Sequence, residues 1–107
     1  MSRHSPLGEF EVLVMLAILR HGTGVFGSLI GRELEARAKR RVSRGALYAT
    51  LTRLEAKGLV SWTVEDAGPD RGGHARRLFV VTREGKAAVR EYGRAVRALA
   101  AGTVDLL

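Results

Sequence analysis

A mainly α-helical domain with one small β-hairpin is the fold the sequence predicts, on three observations. Three apolar segments at helical spacing precede residue 58, and each ends in a glycine or a basic break. Two stretches rich in Val, Trp and Phe then flank a turn-rich run, Gly68-Pro69-Asp70-Arg71-Gly72-Gly73. Behind Thr82 the apolar spacing returns to three and four.

The elements follow in order. Residues 1–6 are polar and read as a flexible N-terminus. The first helix is expected from Gly8 to His21. Glu9 and Glu11 suit the positive end of its dipole, and Arg20 and His21 suit the other. Its apolar residues, Phe10, Val12 to Leu16, Ile18 and Leu19, wrap most of the circumference. Such a helix asks for two neighbours, its own core and a second subunit. Gly22-Thr23-Gly24 breaks it. The second helix is expected from Gly27 to Ala38, with Leu29, Ile30 and Leu34 facing in, and Lys39-Arg40-Arg41 forms a basic connector.

The third helix, expected from Ser43 to Lys57, has a clear start and stop. The Ser43 hydroxyl can accept an orphan N–H of the first turn. Gly58 can enter the left-handed conformation that closes a helix. Leu47, Leu51 and Leu54 share one side; Gly45, Ala46, Ala49, Thr52 and Arg53 share the other. Leu59 to Glu65 and Arg76 to Val81 read as the two strands of the hairpin. Thr82 caps a last helix, Arg83 to Ala100, whose narrow seam of Ala88, Val89, Tyr92, Ala95, Val96 and Leu99 resembles a coiled-coil stripe. A short apolar tail covers residues 103–107.

Three helices followed by a hairpin form a winged helix-turn-helix, here residues 7–82, with a C-terminal dimerisation helix and tail over 83–107. The third helix becomes the recognition helix and the hairpin the wing. A net charge of +7 over 107 residues favours a polyanionic partner, double-stranded DNA. The excess is spread along the chain, +3, +2 and +2 over residues 1–42, 43–77 and 78–107, so charge alone does not locate the binding face. The longest apolar run, Val12 to Leu19, is well short of the ~20 residues of a membrane helix, and the chain reads as cytoplasmic with no membrane partner. With no cysteine and with His4, His21 and His74 on separate elements, no metal site, cofactor or catalytic set is expected.

The chain also resembles the PadR family of bacterial transcriptional regulators. The resemblance rests on Leu7-Gly8-Glu9-Phe10-Glu11, on Phe26-Gly27, on Val42-Ser43-Arg44-Gly45-Ala46-Leu47-Tyr48, on the run from Leu51 to Val60, and on Arg76-Arg77-Leu78-Phe79-Val80-Val81-Thr82-Arg83-Glu84-Gly85. These stretches span residues 7 to about 90. Two departures each lose a hydroxyl: Phe26 stands where the family often has tyrosine, and Leu78-Phe79 where it favours paired aromatics. The short length resembles the compact subgroup with a single C-terminal helix. The resemblance implies a homodimeric repressor, Tyr48 as a DNA-backbone contact, and a small apolar effector bound near the dimer interface.

The expected DNA contacts are Ser43, Arg44, Gly45, Tyr48, Ala49, Thr52 and Arg53 on the recognition helix. On the wing they are Arg71, His74 and Arg76, with Arg77 beside them. Small residues let the helix approach the groove closely, and the helix N-terminus favours phosphate. Arg53 has two uses open to it, a phosphate or guanine edge, or a carboxylate on Glu55 or another helix. Thr50 is a weaker candidate. Trp62 either packs against the sheet or stacks on a ligand. The expected dimer interface is Phe10 and Val14 on the first helix, and Ala88, Val89, Tyr92, Val96 and Leu99 on the last. A winged helix that docks proteins without binding DNA is the alternative use of the same fold.

Overall fold

The computed structural model describes residues 7–65 and 76–107. The order is α1 (Glu9–Leu19), α2 (Gly27–Ala38), α3 (Arg44–Ala56), β1 (Val60–Glu65), β2 (Arg76–Val81) and α4 (Arg83–Ala100), then a 3₁₀ turn over Val104–Leu106. The strands pair antiparallel, with Trp62 opposite Phe79 and Val64 opposite Arg77. Val25, in the α1–α2 connector, bridges Phe79 through two backbone hydrogen bonds of 3.0 and 2.8 Å. That bridge pins the base of the hairpin to the helical body. Among the described residues no helix is long and apolar enough to cross a membrane.

Local chemistry sets the ends of the elements. The Ser43 Oγ accepts from the Ala46 N–H at 3.1 Å, so α3 begins at Arg44. At its other end Gly58 has φ +78°. The Gly58 N–H donates to the Glu55 carbonyl, and the Leu59 N–H to the Leu54 carbonyl, each at 2.9 Å. This is a Schellman closure. It uses the Leu59 N–H, which is why β1 starts at Val60 and not at Leu59. Thr82 joins the two halves of the fold. Its Oγ1 accepts from the Gly85 N–H at 3.0 Å and donates to the Gly58 carbonyl at 2.7 Å. Gly85 lies so close to the Leu59 carbonyl that any side chain there would overlap it. The first turn of α4 is therefore seated on the end of the recognition helix.

The core gathers Val14, Met15 and Ile18 from α1, Ile30 and Leu34 from α2, and Leu47, Leu51 and Leu54 from α3, closed by Phe79 and Val81 of the wing. Two expectations need correction. α1 runs only from Glu9 to Leu19, because Gly8 is its cap and the chain turns through Gly22 at φ +74°. Val14 does not face a second subunit: it is 0% exposed inside the protomer's own core. The outward stripe of α1 is carried instead by Leu13 and Leu16, the latter 43% exposed. Phe10 is half-buried against the core. On α4, Ala88 and Val89 also pack on the core, but Val96 and Leu99 stand 51% and 82% exposed.

Candidate nucleic-acid interface

The outward face of α3 is open and small. Arg44, Gly45, Ala46, Ala49, Thr52 and Arg53 are all exposed, whereas Leu47, Leu51 and Leu54 are buried beneath them. Nothing lies within 4 Å of the position a Gly45 Cβ would take. Thr52 uses its hydroxyl within the helix, donating to the Tyr48 carbonyl at 2.9 Å. Thr50 does not reach the surface at all: it is 2% exposed, and its hydroxyl donates to the Ala46 carbonyl at 3.0 Å.

Tyr48 is the hinge between helix and wing. Its ring meets Phe79 of β2 edge-on, with centroids 6.1 Å apart. Its hydroxyl end abuts Gly27, where a Cβ would collide with it. Two guanidinium groups lie against the ring, Arg44 of α3 at 5.5 Å and Arg77 of β2 at 5.6 Å from its centre. Arg77 also lies 4.8 Å from the Trp62 ring centre. Of the two uses open to Trp62, packing on the hairpin is the one observed, and the residue holds an arginine there. Cation–ring contacts of this kind leave the N–H edges of a guanidinium free to bind anions. Among the described residues, neither Arg44 nor Arg77 has a carboxylate partner.

Most other basic residues around the helix-turn-helix are paired, whereas Arg32 and Lys39 have no carboxylate partner among the described residues. The Arg76 Nη2 meets Glu65 Oε1 at 2.8 Å, and its guanidinium covers the Phe26 ring at 4.1 Å. Arg76, expected on DNA, thus ties the loop end of the paired strands to Phe26 of the body. Arg40 meets Glu9 at 2.8 Å and Arg41 meets Glu35 at 3.6 Å. The basic connector is tied down at two of its three residues. Lys39, the third, turns the chain with φ 57°. Of the two uses open to Arg53, the structure contains the carboxylate pairing: its Nε lies 3.8 Å from Glu11 Oε2 and its Nη2 donates to Thr50 Oγ1 at 3.1 Å. Arg71 and His74 lie outside the described residues.

Glu11 is the residue that composition and spacing least suggested. As a sequence position it suited the helix dipole. In the fold it is 6% exposed and takes Lys57 Nζ at 2.9 and 3.1 Å. Burial acts to raise its pKa. The Gly8 N–H, the Lys57 ammonium and Arg53 together outweigh that effect and hold the carboxyl below its ordinary value. The available signal was a glutamate three residues behind Gly8 in an otherwise apolar run, the spacing of a helix-capping side chain. The Gly8 N–H does donate to it, at 2.9 Å. Among the described residues no group of three or more His, Asp or Glu could hold a metal ion.

The Transcriptional regulator PadR-like family matches residues 15–91. The transcriptional regulator Rv3488 of Mycobacterium tuberculosis is 44% identical over 95 residues, covering 86% of this chain and 84% of that protein. The structure of a PadR-like transcription factor from Bacteroides fragilis superimposes with a TM-score of 0.74 at 26% identity, covering 92% of this chain and 89% of that one. F93 from STIV, a winged-helix DNA-binding protein, shares the fold with a TM-score of 0.62 at 17% identity, over 80% of this chain and 85% of its own.

Proposed function

This chain belongs to the PadR-like family of transcriptional regulators, DNA-binding winged helices rather than enzymes, and on that premise we propose that it acts as a homodimeric, sequence-specific repressor. The observation that carries the reading is the pairing of a small, open α3 face with two arginines, Arg44 and Arg77, that share the Tyr48 ring and meet no carboxylate among the described residues. The N-terminal half of α3 enters the major groove, with Ser43, Gly45 and Ala49 at close range and Thr52 one turn further along the same face. Arg44 and Arg77 grip the flanking phosphates, and Arg71 and His74 extend that grip along the wing.

Two copies pair through the outward stripe of α1, Leu13 and Leu16, and through Val89, Tyr92, Val96 and Leu99 of α4. These two helices border a groove of about 600 Å³ in each protomer. Two-fold symmetry then presents two recognition helices to a palindromic site. A small apolar effector seated in the α1–α4 groove would regulate by changing the spacing of those helices.

The test is a mobility shift with duplexes selected by the protein from a random library, followed by footprinting. A symmetric footprint whose affinity falls steeply with salt supports the reading. Absence of salt-sensitive binding to any duplex removes it and leaves the protein-docking use of the fold. For the dimer, Leu16→Glu and Val96→Glu are each expected to sediment as monomers; a persistent dimer in both rejects this interface.

A further inference from the structure

Glu11 and Thr50 are the polar or charged side chains buried among the described residues, and Glu11 is the one that carries charge. It belongs to α1, yet its carboxylate gathers the cations from the second half of the recognition helix. Lys57 reaches it at 2.9 Å and Arg53 at 3.8 Å. The Lys57 side chain is 21% exposed and that of Arg53 58%. One carboxylate thus faces two positive charges at the C-terminal end of the helix that faces DNA, hydrogen-bonded to Lys57 and within ion-pair distance of Arg53. Desolvating an ion pair costs free energy that a well-packed apolar residue would not incur. Capping of the Gly8 N–H at 2.9 Å gives a structural reason for a carboxylate at this position, but none for drawing its cations from the helix that faces DNA.

Electrostatics supplies one. Contacts to phosphate add affinity for every sequence alike, and affinity that is blind to sequence lowers discrimination. We propose that Glu11 is a specificity-determining positioning residue, which withholds Lys57 and Arg53 from the phosphate backbone so that binding depends on the N-terminal half of α3. The proposal rests on the DNA-binding reading above. It makes the anchoring helix of the fold, whose far side bears Leu13 and Leu16, part of the reading apparatus.

Glu11→Gln tests this with two probes, a duplex selected by the wild-type protein and a scrambled duplex of the same composition. Glutamine keeps an acceptor for Gly8 and Lys57 but removes the charge. The expected result is a scrambled-duplex affinity raised about three- to tenfold at low salt, with a salt slope steeper by about one phosphate contact. Affinity for the selected duplex changes less, so discrimination falls. A merely structural role would weaken both duplexes together and leave the slope unsteepened, and that outcome overturns the proposal, as does an unchanged scrambled affinity.

Lys57→Gln supplies a second check that does not depend on how well Glu11→Gln folds. A lysine leaves the recognition helix, yet the salt slope is expected to stay at the wild-type value. A slope shallower by about one contact means that Lys57 touches phosphate in the wild type, and the proposal fails. If the wild-type protein binds no duplex in a salt-dependent way, the DNA reading itself falls. If it does bind and the two variants behave otherwise than stated, only the role of Glu11 falls.

Discussion

The two ends of the recognition helix treat their cations in opposite ways. At the C-terminal end, Arg53 and Lys57 turn back toward a buried carboxylate. At the N-terminal end, Arg44 and Arg77 lie against aromatic rings, with no carboxylate partner among the described residues. A carboxylate consumes the charge it binds. An aromatic face positions a guanidinium and leaves its charge available to a phosphate. Equal numbers of basic residues therefore do different work, and the net charge of +7 overstates what the binding face can offer DNA.

The largest effect that separates the two ends is expected from the double variant Arg44→Ala/Arg77→Ala. Loss of two phosphate contacts should cost about a hundredfold in affinity for a selected duplex at moderate salt, with the fold unchanged by circular dichroism. A loss below threefold would return the N-terminal end to the status of ordinary surface.

A smaller effect concerns the closed end and its pH dependence. The Glu11 carboxyl lies below its ordinary value in the folded protein. Its contribution to stability is accordingly complete above the pKa of the unfolded chain, about 4.3, and is lost as pH falls through the lower, folded value. Urea unfolding of the wild type and of Glu11→Gln should differ most near neutrality and converge in acid. A difference that grows on acidification would assign the shift the wrong sign.

The smallest effect sharpens the comparison at Tyr48. Its ring carries the two arginines, whereas its hydroxyl end abuts Gly27. Tyr48→Phe is expected to change duplex affinity by less than about threefold, because the cation–ring attraction survives loss of the hydroxyl. Tyr48→Ala should lose far more. Equal losses in the two variants would shift the contact from the ring to the hydroxyl.

The comparison also explains what could be read along the chain. The bounds of α2, β2 and α4 match the sequence expectation, as do the caps at Ser43, Gly58 and Thr82, because these signals act over a few residues. The outward small face of α3 was legible for the same reason, since three leucines fixed its phase. α1 gives no phase, being apolar nearly all round, so its pattern admits Val14 on the outward face that Leu13 and Leu16 in fact carry. The sorting of arginines was not legible at all. Arg76 and Arg77 are neighbours in sequence, but strand alternation sends one to Glu65 and Phe26 and the other to Trp62 and Tyr48. Glu11 and Lys57 meet across 46 positions, a separation that no local pattern spans.

The central claim is that DNA is gripped at the N-terminal end of α3 and not at its C-terminal end. The most direct measurement is the salt dependence of binding to one selected duplex for the wild type, Arg77→Ala and Arg53→Ala. The slope of log affinity against log salt should become shallower by about 0.9 for Arg77→Ala, one phosphate contact, and stay at the wild-type value for Arg53→Ala. A shallower slope for Arg53→Ala with none for Arg77→Ala would contradict the account.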